Sequence, residues 1–262
     1  MIRRPPRSTP SNSSAASDVY KRQACGQCEY CLTGQENLCF QAQFTGFHQN
    51  GGYAEYLVAP ADFTVLLPSE PPPEQLAPLL CAGIIGYRSY RLSEIKPGQK
   101  LGLFGFGASA HLVLQVANYY QCQVYVFTRQ KIHQEHARQL GAYWVGTPHE
   151  QPSDQLDACI SFAPVGWIVH KALKVLKKGG TLAINAVYLS PIPQLDYNDL
   201  YYEKKIRSVA HVTRQDAKKF IDLAIKIPVK TEIEVFSLEQ ANQVLEKIKK
   251  SQVKGAAVLR VG

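Results

Sequence analysis

Four cysteines stand within residues 24–39, ACGQCEYCLTGQENLC, at the spacing C-x2-C-x2-C-x7-C. Thiolates are soft ligands, and this spacing lets one short irregular loop wrap Cys25, Cys28, Cys31 and Cys39 around a tetrahedral Zn2+ with Zn–S bonds of about 2.3 Å. Four protein ligands leave no open coordination position, so the expected role is structural: the metal holds a loop and activates no water. The segment has no Lys or Arg and carries Glu29 and Glu36, which argues against a phosphate-binding finger. Nucleic-acid zinc modules also split their ligands into two distant pairs. Seven cysteines in all, an odd number, suit metal ligation plus isolated thiols better than a disulfide framework.

A second signature is Gly105-Phe106-Gly107-Ala108-Ser109-Ala110, a G-x-G-x-x-A pattern. Gly105 permits a tight turn, Gly107 lets the backbone approach a pyrophosphate, and Ala110 allows a helix to pack closely on a strand. The anion would rest on free N–H groups at the helix N-terminus. A site for NAD usually places Asp or Glu about 20 residues further on, against the ribose 2′-hydroxyl. Here no acid occurs in residues 118–134, and Thr128 and Arg129 stand at that place. A guanidinium there can pair with a 2′-phosphate, so NADP is expected over NAD; the alternative is an Arg129 that simply lies in solvent.

The elements that must position these residues are legible as periodicity. LGLF, from Leu101, reads as a buried strand, and Ala110, Val113, Leu114 and Ala117 follow at helical spacing. QCQVYVF, AYWV, DACISF and GGTLAINAV read as further strands. KIHQEHARQL and WIVHKALKVLKKGG read as helices between them, the second with Val169, Ala172, Leu173 and Leu176 as its apolar stripe and its lysines at the helix end. This alternation is the pattern of an α/β doubly wound parallel sheet, and a Rossmann domain is expected over residues 86–225. Ala186 and Val187, beside Asn185 at a strand end, are expected to face the cofactor, with Phe162-Ala163-Pro164 shaping the same crevice; ordinary strand-end turns would look alike.

Bulk composition is that of a folded globular chain: 262 residues, 45% apolar and 19% charged. The longest apolar stretch, LAPLLCAGIIGY, is too short to cross a bilayer, and no secretory signal precedes it, so a cytoplasmic location with reduced thiols is expected. Half of the formal +8 charge lies in residues 1–23, where Arg3, Arg4, Arg7, Lys21 and Arg22 face Asp18 alone. The rest is dispersed, which argues against a nucleic-acid partner. That tail, rich in Ser, Pro and Arg, cannot supply a core element and is expected to be disordered. Its composition suits a transit peptide, but Pro5, Pro6 and Pro10 would break the amphipathic helix such a peptide needs. SSAASDVYKRQ resembles translated sequencing-adapter sequence, and residues 1–23 are read as non-native.

With the zinc loop and the dinucleotide unit together, residues 24–262 resemble the zinc-dependent medium-chain alcohol dehydrogenases. CGQCEYCLTGQENLC is similar to their structural-zinc lobe, GGYAEYLVAP to the strand segment that follows it, and APLLCAGIIGYRSYR to the stretch carrying a catalytic-zinc cysteine. LGLFGFGASAH is similar to their dinucleotide turn, and the run from Ile206 onward to their C-terminal end, where Ser237-Leu238-Glu239-Gln240 also reads as a capping box. The resemblance implies a Rossmann domain joined to a partial GroES-like, mainly β catalytic domain formed by residues 24–85 and 226–262. It implies reversible hydride transfer between NAD(P) and a small-molecule alcohol, aldehyde or ketone. It also implies a catalytic zinc with Cys81 as one ligand, although spacing alone reads Cys81 equally as a packed thiol.

In the family the other two catalytic ligands precede the lobe, as a cysteine beside a hydroxyl residue and a histidine in a Gly-His-Glu segment. The sequence before Cys25 holds neither cysteine nor histidine, so an N-terminally truncated dehydrogenase with an incomplete catalytic-zinc site is expected. Absent strands are expected to leave apolar faces and sheet edges exposed. His149 precedes Glu150 but lies in the Rossmann half, His48 is expected in solvent, and His111 is expected either near the pyrophosphate or in water. Ile85 stands where many relatives carry a hydroxyl residue that touches cofactor. Intact relatives are dimers or tetramers. Two other readings are a zinc-free NADPH reductase relative and a noncatalytic nucleotide-binding module.

Overall fold

Strands buried on both faces must be apolar at nearly every position, and the short runs between the glycine turns of this chain meet that demand. The computed structural model describes residues 22–65, 67–227, 229–250 and 252–261, so the reading of residues 1–21 as a disordered tail lies outside the described residues. Its strands are β1 (Arg22–Gln23), β2 (Gln43–Phe44), β3 (Lys100–Phe104), β4 (Gln123–Phe127), β5 (Trp144–Gly146), β6 (Leu156–Ser161), β7 (Leu176–Ile184), β8 (Lys205–Ser208), β9 (Ile233–Ser237) and β10 (Ala256–Arg260). Its α-helices are α1 (Glu29–Leu32), α2 (Pro73–Leu76), α3 (Ala82–Leu92), α4 (Ala108–Tyr119), α5 (Lys131–Gln139), α6 (Trp167–Val175), α7 (Arg214–Lys226) and α8 (Ala241–Lys249).

Six strands form one parallel sheet in the order β5-β4-β3-β6-β7-β8. Side chains alternate across it. Leu101, Leu103, Val124, Val126 and Ile160 join Ile84, Leu112, Val113 and Phe220 in one buried cluster. Tyr125, Phe127, Cys159 and Leu182 join Val169 and Leu173 in the other, where Phe104 stacks on Phe127 at 4.2 Å. The chain reverses its direction of travel across the sheet between β3 and β6, and the crevice beyond their carboxyl ends is where an open α/β sheet takes ligands.

The expected helix over WIVHKALKVLKKGG ends at Val175, and LKKGG instead opens β7. Leu176 is already extended (ψ 135°), and Gly179 needs a positive φ (+73°) that a continuing helix would not allow. Lys177 then pairs with Asp157 rather than lying at a helix end. The last strand of the sheet, β8, lies in the stretch assigned at sequence level to the C-terminal end.

Beyond the sheet, regular structure is sparse. β1 pairs antiparallel with β2, so two ordered residues precede the expected boundary at residue 24. β9 pairs in parallel with β10, and the capping box at Ser237 and Gln240 is formed. GGYAEYLVAP forms no strand, and Tyr56 and Val58 are 89% and 85% exposed. A strand with no neighbour gains no ladder hydrogen bonds, so its backbone stays with water. The expected boundary at residue 86 falls inside α3, and that near 226 falls at the end of α7.

α3 is wedged between two helices at positions lacking a side chain. A Cβ on Gly83 would overlap the Phe220 ring of α7, and one on Gly86 would lie 2.8 Å from Val113 Cγ2 and 3.2 Å from the Ser109 carbonyl of α4. Gly83→Ala is therefore expected to lower stability by about 1–3 kcal/mol through overpacking, outweighing the roughly 1 kcal/mol that alanine gains in a helix interior. Phe220→Leu in the same chain should recover part of the loss. Denaturant midpoints of the two variants check this, and an unchanged Gly83→Ala midpoint would refute the packing.

Candidate metal lobe and dinucleotide crevice

Gly26 and Gly34 turn the chain with φ of +76° and +74°, and between them the single turn of α1 follows Cys28. This folding gathers the sulfurs of Cys25, Cys28, Cys31 and Cys39 within 4.8 Å of one another. Cys25 and Cys31 Sγ stand 3.9 Å apart, and Cys28 and Cys31 Sγ 3.5 Å. A regular tetrahedron with 2.3 Å Zn–S bonds has edges of about 3.8 Å. Backbone N–H groups of Cys25 and Cys28 donate to Cys39 and Cys25 Sγ, each at 3.3 Å. The N–H groups of Gln27 and Cys28 pull the Cys25 thiol down, and that of Cys31 pulls Cys28 down to about 6. Burial pushes Cys31 up to about 12. Cys28 is thus prepared as a thiolate and Cys25 is shifted in the same direction, a coordinating cation would deprotonate Cys31, and the donor set fits zinc.

Among the described residues this is the one group of three or more side chains able to hold a metal. Cys81 is exposed at the N-cap of α3 and belongs to no such group. A catalytic zinc needs about three protein ligands and an open position. The described residues therefore do not fit one.

The G-x-G-x-x-A turn lies at the β3/β6 crossover. Gly105 has φ +88°, its N–H donates to the Phe127 carbonyl at 2.9 Å, and a Cβ there would lie 3.3 Å from Ala163 N. Phe162 N–H donates to the Phe104 carbonyl at 2.8 Å, which brings Phe162 and Ala163 beside the turn. Gly107 is the N-cap of α4, and no side chain caps this helix. A Cβ on Gly107 would meet nothing within 4 Å, although its φ of −109° suits any residue. Open space thus stands over uncapped N–H groups, which fits a pyrophosphate. Ala110 is fully buried, as close helix packing requires.

At the end of β4, Thr128 is buried, donating its N–H to the Gly146 carbonyl, and Arg129 beyond it is exposed. Asn185 N–H holds the end of β7 to the Ser161 carbonyl at 2.8 Å; Ala186 is half-buried and Val187 fully exposed.

Residues 11–69 match the family described as "Alcohol dehydrogenase GroES-like domain", a match that begins inside the tail. "Probable alcohol dehydrogenase AdhA" of Mycobacterium tuberculosis (strain CDC 1551 / Oshkosh) is 45% identical over 244 residues, covering 93% of this chain and 70% of that protein. An alcohol dehydrogenase of Geobacillus stearothermophilus is 32% identical, over 91% of this chain and 73% of its own. The chain belongs to the medium-chain zinc alcohol dehydrogenase family. Among solved structures of alcohol dehydrogenases, the cinnamyl enzyme of Sorghum bicolor superposes with a TM-score of 0.82 at 26% identity, over 92% of this chain and 72% of its own. The CAD of Helicobacter pylori, complexed with NADP(H), gives 0.81 at 26%, over 90% and 72%.

His111 of this alcohol dehydrogenase stands elsewhere than the sequence implied. His111 is neither in water nor free to meet a ligand: it is 1% exposed, and its Nε2 accepts the Glu232 N–H at 3.3 Å while Nδ1 faces the Gly107 carbonyl at 3.3 Å. His48 is exposed and accepts the Phe44 N–H at Nδ1, and His149 stacks on Trp167 at 5.1 Å. Glu36, Arg214 and Asp216, which tie the lobe to α7 and α3, escaped notice. The Thr213-x-x-Asp216 capping box was the available signal, and the structure forms it.

Burial lowers His111 to about 4, and burial with Lys254 nearby lowers His136, against which Glu232 acts in the other direction. A histidine whose folded-state pKa lies below its unfolded value of about 6.5 leaves stability intact above that value. As pH falls from there toward 4, the unfolded chain takes up a proton that the folded chain refuses, and stability drops. Wild type is expected to lose more stability than His111→Phe between pH 6.5 and 4, as denaturant titrations at each pH would reveal; parallel curves would exclude the buried neutral tautomer.

Proposed function

We propose that this chain is the dinucleotide-binding and structural-zinc part of an NADP-linked alcohol dehydrogenase, acting between a primary or secondary alcohol and its aldehyde or ketone. The observation that carries the reading is the open, uncapped N-terminus of α4 at Gly107, set at the sheet's crossover. The α4 N–H groups hold the pyrophosphate, and Gly105 keeps the turn tight enough to present them. Thr128 fixes the end of β4 so that Arg129 can pair with a ribose 2′-phosphate, and the absence of a carboxylate there removes the usual partner of a 2′-hydroxyl. Ala186 and Val187 flank the nicotinamide from the end of β7. When bound, the nicotinamide supplies the hydride acceptor or donor.

Cys25, Cys28, Cys31 and Cys39 hold a structural zinc. In the family reading Cys81 is one ligand of a catalytic zinc whose partners are not among the described residues, so no proton or hydride step is assigned to it. We read the protein as cytoplasmic and as assembling into a dimer or tetramer. The exposed position of Cys81, outside any metal-holding group among the described residues, is also compatible with a second reading, a zinc-free NADPH reductase. Cys81→Ser would leave the turnover of such a reductase unchanged.

Replacing Arg129 with Asp tests the cofactor assignment. Fluorescence titration is expected to show NADPH binding weakened about tenfold or more, a loss of about 1.4 kcal/mol, with NADH binding changed much less. Equal losses for the two dinucleotides would reject the 2′-phosphate contact.

A further inference from the structure

The cysteine lobe has almost no core of its own. α1 buries nothing, Leu32 and Phe40 are 74% and 76% exposed, and of the polar residues between the cysteines only Glu36 and Asn37 are buried. Those two reach across the chain. Glu36 Oε1 accepts the backbone N–H of Arg214 at 2.7 Å, and Oε2 takes the Arg214 guanidinium at Nε (3.0 Å) and Nη2 (2.8 Å). Asn37 Nδ2 donates to the Ala210 carbonyl at 2.9 Å. Arg214 is the first residue of α7, so Glu36 satisfies one of the N–H groups a helix start leaves open and sets an anion at the positive end of its dipole. Burial alone would raise the Glu36 carboxyl; Arg214 outweighs it and holds the carboxyl below its ordinary value.

From α7 the contacts run inward. Asp216, fully buried, accepts the Thr213 N–H at 3.1 Å and pairs with Arg88 at 2.5 Å and with Arg91, both on α3. α3 packs through Gly83 on Phe220 of α7 and through Gly86 on Ser109 and Val113 of α4. Ser109 lies inside the G-x-G-x-x-A turn. Three consecutive steps therefore join the lobe to the dinucleotide helix, from lobe to α7, α7 to α3 and α3 to α4, and the packing at Gly83 and Gly86 in the last two has no slack.

We propose that Glu36 is a positioning residue that couples the metal state of the cysteine lobe to the packing of the dinucleotide helix. Zinc holds the Glu36–Asn37 turn, the turn holds the α7 N-terminus, and α7 sets α3 against α4. This rests on the reading that the four thiolates hold zinc, and by linkage dinucleotide and zinc then strengthen each other's binding.

Hydrogen exchange of the full chain, with zinc counted colorimetrically, compares zinc-loaded with chelator-stripped, reduced protein. In wild type, which should carry a single zinc, stripping is expected to speed exchange about tenfold in the first turn of α7 and in α3 as well as in the lobe. NADPH affinity should fall several-fold alongside. In Glu36→Gln, stripping should speed exchange in the lobe alone. Deprotection that stops at the lobe in wild type overturns the coupling and leaves the zinc reading standing. The same spread of deprotection in Glu36→Gln as in wild type overturns the role of Glu36. A chain that holds no zinc overturns the metal reading and the coupling with it.

Discussion

A single carboxylate with no exposure to solvent, that of Asp216, ties together the parts of this chain that function requires. Burial pushes its pKa upward, and Thr213 and Arg88 more than reverse that, so it stays ionised. It completes the capping box that starts α7 and draws Arg88 and Arg91 of α3 against it. An unpaired buried charge costs several kcal/mol, so each partner is needed for the others to remain in place. Because α3 also packs without side-chain clearance at Gly83 and Gly86, the position of Asp216 fixes how α3 meets the helix that carries the dinucleotide turn.

The two clusters on the sheet's faces make the rest of the crevice rigid. β3 and β6 end side by side, their backbones clamped by the Phe162 to Phe104 hydrogen bond, and the glycine turn crosses over them. A helix N-terminus held in this way needs no rearrangement to accept an anion. The lobe contributes through Glu36 and Asn37.

The parallel sheet was legible because its strands are buried on both faces and read as continuous apolar runs, with Gly105, Gly107 and Ala110 meeting their steric requirements by type alone. The clustering of the four cysteines was legible because their spacing is local. β7 was mistaken at its start because LKKGG carries both helix-end lysines and strand-start glycines, and Gly179 decides between them only through its φ. GGYAEYLVAP is similar to a strand segment of the family but pairs with no strand among the described residues, and pairing is a property of two segments rather than one. His111 could not be placed because its partner, Glu232, lies 121 residues away. The Glu36–Arg214 pair spans 178 residues and leaves no local trace beyond charge.

The central claim is that a dinucleotide occupies the space over the α4 N-terminus, and Gly107 tests it most directly. Its φ is open to any residue and its Cβ would meet nothing, so only a ligand requires glycine there. Calorimetric titration of NADPH into Gly107→Val should show binding weakened by about tenfold or more, with folding stability held within about 1 kcal/mol of wild type. Undiminished NADPH binding by a folded Gly107→Val chain would contradict the account.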